Sequence, residues 1–410
     1  MFRRCVSFSV FLILVCGSSL WGDKPSATAS SADLTFRLPT TSGETVELKK
    51  QPDQKVTVVC FLGAECPLAR LYGPRLNELQ ESYRSRGVRL IGVNSNQQDS
   101  LEDVQAYVKK YQIQFPMAKD YGNEIADRYQ AVRTPEVFVL DENLVIQYRG
   151  RIDNQYLPGI SRAETTSHDL KNALDQVLSG NPVKLAVTEP NGCFIGRVKK
   201  TEVTTSLTFC NEVVRVLNQH CVECHRKGEI APFSLTDYDE VRGWADTMLE
   251  TIDDGRMPPW HASPKYGHYA NARFMSDEDK KVLRDWVAGG MPYGDVKNMP
   301  KLPEFREGWH LPEVPEAVFE MRKRPFQVPA EGVVEYQYFV VDPGFTEDKW
   351  VTGAQVLPGN RSVVHHAIVF IRPPDGADFR GIGWLTAYVP GQRIKKLPEG
   401  RARKVPAGSK

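Results

Sequence analysis

A short run in the middle of the chain, Cys221-Val222-Glu223-Cys224-His225, restricts what it can fold into more than any other feature. Two cysteines at this spacing, followed at once by a histidine, match the motif that attaches a haem through two thioethers while the histidine binds the iron. Two other interpretations are a disulfide loop and half of a zinc site. A zinc site would need another close Cys or His pair downstream, and none follows at the usual spacing.

The first 31 residues have the order of an export signal followed by a polar linker. Arg3 and Arg4 precede an apolar stretch over residues 6–15, and small residues come next. This order is typical of a secretory signal, and the stretch is too short for a membrane span. We therefore predict an exported protein, periplasmic or extracellular, with no membrane span after signal removal. Cys16 follows a valine rather than a small residue, which disfavours a lipid anchor.

The 410 residues are enough for two to four domains. A net charge of +1 gives no electrostatic reason to expect nucleic acid as a partner. Changes in pattern divide the chain into a signal and linker (1–31), an α/β domain (32–185), a mostly α domain (186–300), a connector (301–315) and a β segment (316–410). Export would place the cysteines where disulfides persist and haem is attached.

The α/β domain carries a cysteine, Cys66, between an apolar β-run and a predicted helix that contains Pro74. A thiol at this position lies near the helix N-terminus, which stabilises a thiolate, whereas the neighbouring Glu65 opposes it. Cys60 lies inside the apolar run and is predicted to be buried and inert. The order of strands and helices predicts a mixed sheet.

Farther along, Pro135 stands just before a predicted strand. Together with Cys66, this segment resembles the thioredoxin-like superfamily, nearer its peroxiredoxin and membrane-anchored thiol-reductase branches. The resemblance implies that Cys66 is the reactive residue and Pro135 a cis-proline against it. Ala69 stands where the dithiol motif has its second cysteine, and Gly63 where peroxide-reducing relatives have threonine. Cys66 is then either an active monothiol or part of a binding platform.

A low-spin haem in the mostly α domain would need a second axial ligand besides His225. Met257, in a Met-Pro-Pro-Trp run, is the candidate, because two prolines would hold its sulfur rigidly. The segment resembles the small c-type cytochrome modules of exported multidomain proteins, which implies haem c. The other candidates for this ligand are Met248, Met275, Met291, His261 and His268. Cys193 and Cys210 are either a structural disulfide or two free thiols.

The β segment contains two adjacent histidines, His365 and His366, in an apolar run. Adjacent side chains on a flat strand point to opposite faces, so both reach one ion only at a bend. The stretch resembles the N-terminal domain of copper type II, ascorbate-dependent monooxygenases, which implies that both are copper ligands and that the segment is an incomplete β-sandwich. The third copper ligand of that family comes later in the chain than this sequence reaches.

These features predict an exported haem protein that transfers electrons, with a thioredoxin-like module and a partial copper monooxygenase-like module. The electron donor would be a redox partner protein or a small molecule. One alternative is a peroxidase that uses Cys66, and another is a docking protein without enzymatic activity.

Overall fold

The computed structural model describes residues 34–410 except 199–201, 261, 270, 306–307, 312, 330–333, 379–380, 382, 392–393 and 395. The predicted signal and linker at 1–31, and His261, lie outside the described residues. Within those ranges, no helix has the length and apolar character needed to span a membrane.

The first domain has the α/β fold that the sequence predicts. Its strands and helices are β1 (Phe36–Pro39), β2 (Thr45–Leu48), β3 (Val56–Phe61), α1 (Pro67–Arg84), β4 (Val88–Asn94), α2 (Leu101–Lys110), β5 (Met117–Lys119), α3 (Glu124–Tyr129), β6 (Arg133–Thr134), β7 (Glu136–Asp141), β8 (Ile146–Gly150), β9 (Tyr156–Leu157), β10 (Ile160–Ser161) and α4 (Asp169–Leu178). The central sheet has the order β5-β4-β3-β7-β8. Strands β3, β4 and β5 are parallel, and β7 and β8 run antiparallel to their neighbours, which confirms the mixed sheet.

Alternation along the central strand β3 divides the core between the two faces of the sheet. Val58 and Cys60 pack on the face that helix α1 covers, whereas Val59 and Phe61 pack on the opposite face. Cys60 is completely buried, and burial raises the pKa of its thiol far above the ordinary value. This agrees with the prediction that Cys60 is not the reactive cysteine.

The second domain is built from helices α5 (Val214–His220), α6 (Tyr238–Asp253) and α7 (Asp277–Ala288), with a π-helical turn at Phe209–Val213 before α5. Helices α6 and α7 both begin at a side-chain N-cap. Asp237 accepts a hydrogen bond from the Asp239 backbone at 2.9 Å, and Ser276 accepts one from the Asp279 backbone at 3.0 Å.

Strand β11 (Cys193–Phe194) lies in the stretch between α4 and the π-helical turn, which we call the connecting segment. It joins the two domains, because it pairs antiparallel with β6 of the first domain. One continuous cluster of buried apolar residues extends from β3 into the second domain, where it includes Trp244 of α6 and Trp286 of α7. Gly243 of α6 has no side chain, and a Cβ there would collide with Gln98 of the first domain. The two domains therefore share a core.

The β segment differs from the sequence prediction. Its strands are β12 (Lys349–Val351), β13 (Ala367–Phe370), β14 (Trp384–Tyr388) and β15 (Arg403–Val405), paired as two separate two-stranded ribbons, β12 with β15 and β13 with β14. The apolar run at 335–341 forms no strand, and its Tyr338 is 88% exposed. The predicted incomplete sandwich is therefore wrong for the described residues, because no second sheet covers this run and buries its alternate side chains.

Candidate active site

Cys66 lies where strand β3 gives way to helix α1. It is the N-cap of α1, and Pro67 takes the first helical position, where the missing N–H of proline costs no hydrogen bond. Its side chain is fully buried, and its thiol donates to the Thr134 carbonyl oxygen at 2.9 Å. The bond between Thr134 and Pro135 is cis. The structure thus brings Cys66 and the Pro135 segment together, as the resemblance implies.

A second cysteine, Cys193, lies against Cys66. The register of β11 on β6 places Cys193 opposite Thr134, and the thiol of Cys193 hydrogen-bonds to the Cys66 sulfur. Both are free thiols.

The structure does not contain the bridge between Cys193 and Cys210 that was one of the two sequence expectations. Both are free thiols. Cys210 lies in the π-helical turn, with its sulfur hydrogen-bonded to Tyr293. The two cysteines are kept apart because the pairing of β11 with β6 fixes Cys193 on the first domain, whereas Cys210 lies in the second domain.

Opposing effects set the ionisation of the two thiols. Burial raises the pKa of Cys66, but hydrogen bonds from the Cys193 thiol, the Ala69 backbone and Thr134 outweigh it and lower the pKa to about 6. The hydrogen bond to Cys66, followed by burial, raises the pKa of Cys193 well above the ordinary value. At neutral pH the pair therefore has one thiolate, on Cys66, and one thiol, on Cys193.

The hydroxyl of Thr134 occupies the space that Gly63 leaves beside Cys66. A Cβ at Gly63 would lie 2.9 Å from Thr134 Oγ1 and 3.2 Å from the Cys66 Cβ. This hydroxyl is buried and lies beside the Cys66 sulfur, whose pKa it helps to lower. Gly63 therefore lacks the threonine hydroxyl of the peroxide-reducing pattern, and the hydroxyl of Thr134, from a different part of the chain, lies in that space.

A buried polar cluster fixes the loop that precedes Cys66. Asp99 Oδ2 accepts hydrogen bonds from the Ala64 backbone at 2.8 Å, from Asn94 at 2.6 Å and from Asn96 at 3.0 Å. Lys119 donates in turn to Asn94 Oδ1 at 2.7 Å. Because every one of these groups except Ala64 is a buried polar side chain, the cluster holds the loop in a single conformation.

Glu65 opposes the thiolate less than the sequence suggests. Burial, and then the charge of Asp99, raises the pKa of Glu65 to about 7. A large share of this carboxyl is therefore neutral at pH 7, and its repulsion of the Cys66 thiolate is reduced.

Arg133 fastens strand β11 and helix α6 to the same edge of the first domain. Its guanidinium donates to the Gly192 carbonyl at 2.8 Å, stacks 3.9 Å from the centre of the Phe194 ring, and forms an ion pair with Glu250 at 2.5 Å. The Phe194 backbone also donates to Thr247 Oγ1 at 2.9 Å. The segment that carries Cys193 is therefore held from both domains.

The haem motif lies on one helical turn directly after α5. The backbone of His225 donates to the Cys221 carbonyl at 2.9 Å, and the ring Nδ1 of His225 is 3.2 Å from the Phe233 carbonyl. A hydrogen bond at Nδ1 leaves Nε2 free for a metal. Burial lowers the pKa of His225 to about 4, so its ring is neutral at pH 7. The part of the chain that the structure describes has no group of three or more His, Cys, Asp or Glu able to hold a metal ion.

The candidates for the second axial ligand differ in burial. Met257 follows α6 and is 39% exposed, with its backbone donating to the Thr251 carbonyl at 2.9 Å. Met248, Met275 and Met291 are buried in the shared core. Of these methionines, Met257 is therefore the one whose sulfur is not already used in packing.

The two adjacent histidines lie just before β13, not within it. Their Nδ1 atoms are 3.0 Å apart, so the two side chains do not point to opposite faces as they would on a flat strand.

Sequence reasoning missed the contact of Cys193 with Cys66 and the role of the Thr134 hydroxyl. Thr134 stands next to Pro135, so its proximity to Cys66 could have been inferred from the resemblance. For Cys193, which the sequence analysis paired only with Cys210, the available signal was the missing second cysteine of the dithiol motif at Ala69.

Fold and site together define a thioredoxin-like thiol redox domain. Residues 31–149 match the AhpC/TSA family, which supports a thioredoxin-like redoxin domain in this part of the chain.

Comparison with characterised proteins gives the same result. The chain is similar to the thiol-disulfide oxidoreductase ResA of Halalkalibacterium halodurans, with 29% identity over 126 residues, which is 31% of this chain and 70% of the relative. It is also similar to the chloroplastic peroxiredoxin Q of Triticum aestivum, with 26% identity over 170 residues, or 40% of this chain and 70% of the relative. Two further ResA relatives are covered over 57% of their length.

Among solved structures, a hypothetical protein of Sinorhizobium meliloti 1021 is 31% identical, covers 40% of this chain and 91% of its own length, and has a TM-score of 0.38. The family match and the ResA and peroxiredoxin Q relatives support a thiol-based redox function for the first domain.

Proposed function

We propose that this protein is an exported redox protein that combines thiol chemistry at Cys66 with electron transfer by a covalent haem c in its second domain. The observation that carries the proposal is the position of Cys66 at the N-terminus of α1, in contact with Thr134 and with Cys193 nearby; its surroundings lower the pKa of its thiol to about 6. A thiolate is the reactive form of cysteine. Its electron donor or acceptor is a redox partner protein or a small molecule.

The donor set of the second domain fits a covalent haem. Cys221 and Cys224 would form the two thioethers, and neutral His225, oriented by the Phe233 carbonyl, would bind the iron through Nε2. Met257 is the proposed second axial ligand. When bound, such a haem carries one electron at a time. Buried Trp244 and half-buried Trp260 each have a buried indole N–H without a partner among the described residues, so this domain has polar groups to offer a bound group.

Residue-specific trapping tests the thiol part of the proposal. The reduced full-length protein is treated with a stoichiometric hydroperoxide in the presence of a sulfenic-acid trap, and the tagged cysteine is identified by peptide mass spectrometry. We expect oxidation of Cys66, either as the trapped sulfenic acid or in a disulfide, and none at Cys60, whose pKa is raised by burial. A Cys66→Ser variant provides the background. The proposal would be refuted if Cys66 were not oxidised to any product.

A separate experiment tests the haem part. Protein expressed with haem-attachment machinery is examined by reduced-minus-oxidised visible spectroscopy and by intact mass. We expect low-spin bands and an adduct of porphyrin mass, both lost in Cys221→Ala/Cys224→Ala. Met257→Ala should keep the adduct but change the bands, whereas Met291→Ala, a buried methionine of the same domain, should not change the ligand. Absence of the adduct would favour a docking protein without haem.

We also propose that His365 and His366 bind a copper ion, which the 3.0 Å approach of their Nδ1 atoms supports. Calorimetric titration with Cu(II) should lose one binding event in His366→Ala, and the exposed His268 provides the control variant. Unchanged binding in His366→Ala would contradict this. Monooxygenase turnover stays a prediction from the resemblance.

A further inference from the structure

The segment that carries Cys193 lies on the first domain as a bound peptide would. A strand that adds to an exposed sheet edge gains affinity from backbone hydrogen bonds and specificity from the side chains it presents. Here β11 adds antiparallel to β6, directly before the cis-proline, and the residue it presents opposite Thr134 is a cysteine. The partner of the Cys66 sulfur is therefore supplied by the chain itself.

We propose that Cys193 is the second cysteine of the Cys66 redox cycle, forming with Cys66 a reversible disulfide that fastens the second domain to the first. The proposal rests on the proposed thiol function of Cys66. It explains why the domain can have Ala69 where the dithiol motif has its second cysteine, because Cys193 of the connecting segment takes the place of that cysteine.

The chemistry balances with a hydroperoxide as the oxidant. The Cys66 thiolate attacks the hydroxyl oxygen of the hydroperoxide and the O–O bond breaks. The other oxygen leaves as an alkoxide and becomes an alcohol by taking from solvent the proton that Cys66 released on ionisation. Cys66 is then a sulfenic acid. The Cys193 sulfur attacks the Cys66 sulfur, the S–O bond breaks, and water leaves with the proton of Cys193. Two thiols and one hydroperoxide give one disulfide, one alcohol and one water.

Burial favours a small oxidant over a protein disulfide. Cys66 is 0% exposed, Cys193 is 8% exposed, and β11 already occupies the edge of β6 at which another peptide would bind. A protein disulfide could reach Cys66 only if β11 and its contacts with Arg133 and Thr247 were released.

The ionisation of the pair supports the assigned order of events. Cys66 has the lowered pKa and Cys193 the raised one, so Cys66 reacts first with the oxidant. Once Cys66 is oxidised, it no longer holds the Cys193 proton by a hydrogen bond to a thiolate, and Cys193 becomes free to attack.

Peptide mapping after hydroperoxide treatment tests the proposal on the full-length haem protein. In the wild type we expect a Cys66–Cys193 linked peptide and little trapped sulfenic acid. In Cys193→Ser we expect trapped sulfenic acid on Cys66 to rise by more than about tenfold, because a preorganised neighbouring thiol competes effectively with an external trap. Cys210→Ser is the matched control and should behave as the wild type.

Gly192 offers a second variant that leaves both sulfurs in place. It has a φ of +137°, and a Cβ there would collide with the Thr134 carbonyl, so Gly192→Ala should displace β11 and slow disulfide formation. Gly159, which also has positive φ but open space around its Cβ position, gives the control Gly159→Ala.

Two results would overturn the inference, and they are distinguishable. If wild type and Cys193→Ser trap equal sulfenic acid on Cys66 and no linked peptide forms, Cys193 has no such role, but the thiol function of Cys66 stands. If Cys66 is not oxidised in either protein, the proposed thiol function itself fails.

Discussion

Replacing Cys193 with alanine should raise the pKa of Cys66 by a measurable amount. Burial opposes ionisation of Cys66, and the Cys193 thiol is foremost among the hydrogen bonds that overcome burial. A hydrogen bond to a charged group contributes about 1.5–3 kcal/mol, and about 1.4 kcal/mol corresponds to a pKa change of one. The pKa of Cys66 should therefore rise from about 6 to between about 7 and about 8.

The assay is the pH dependence of alkylation by iodoacetamide, followed on the Cys66 peptide by mass spectrometry. Because the reagent attacks the thiolate, the half-maximal rate falls at the pKa. The remaining thiols do not interfere, since the readout is specific for one peptide. Cys210→Ala is the control and should keep the wild-type midpoint. A midpoint that stays near 6 in Cys193→Ala would refute the role assigned to the Cys193 hydrogen bond.

The lowered pKa of Cys66 in the wild type also makes the free energy of unfolding depend on pH in a defined direction. The pKa of Cys66 is lower in the folded protein than the ordinary thiol value of 9.0. The ionised thiolate therefore stabilises the fold fully above pH 9, and this stabilisation disappears as the pH falls through about 6. In Cys193→Ala the folded pKa lies closer to the ordinary value, so the pH-dependent part of the unfolding free energy should shrink.

Three further predictions concern the link between the domains and the haem. A double-mutant cycle of Arg133→Met and Glu250→Gln should give a coupling energy of about 1 kcal/mol in urea unfolding, because this partly buried ion pair spans the two domains; strictly additive effects would contradict it. Oxidation of Cys66 and Cys193 closes a loop of about 130 residues, so the oxidised protein should be about 4–5 kcal/mol more stable by the chain-entropy model, and equal urea midpoints for oxidised and reduced protein would argue against the bridge. His225→Gly should abolish the low-spin spectrum while keeping the porphyrin mass, and added imidazole should restore the bands; bands that persist without imidazole would show that another residue binds the iron.

Local patterns were sufficient to predict most of the first two domains. The period of apolar residues gave the strands of the central sheet and helices α1, α2, α6 and α7, because burial on one face imposes that period directly on the sequence. The N-caps at Asp237 and Ser276 were predictable for the same kind of reason, since a cap bonds to a backbone only two or three residues away.

The run at 335–341 shows where local pattern fails. Its alternation is that of a half-buried strand, yet the structure leaves it unpaired. A strand is stabilised by a neighbour that accepts its hydrogen bonds and a layer that covers its apolar face, and neither is written into the run itself.

The position of Cys66 at a helix start and the haem-type spacing at Cys221–His225 follow from the sequence alone, because each depends on neighbours a few residues apart. Pro135 as a cis-proline was implied by the resemblance to the thioredoxin-like superfamily. Only the tertiary structure decided that Cys193 contacts Cys66. That contact arises because the connecting segment folds back along β6 and is held there by Arg133 and Thr247. Contacts between residues so distant in the chain are set by packing of whole elements, so no local spacing could have paired these two sulfurs.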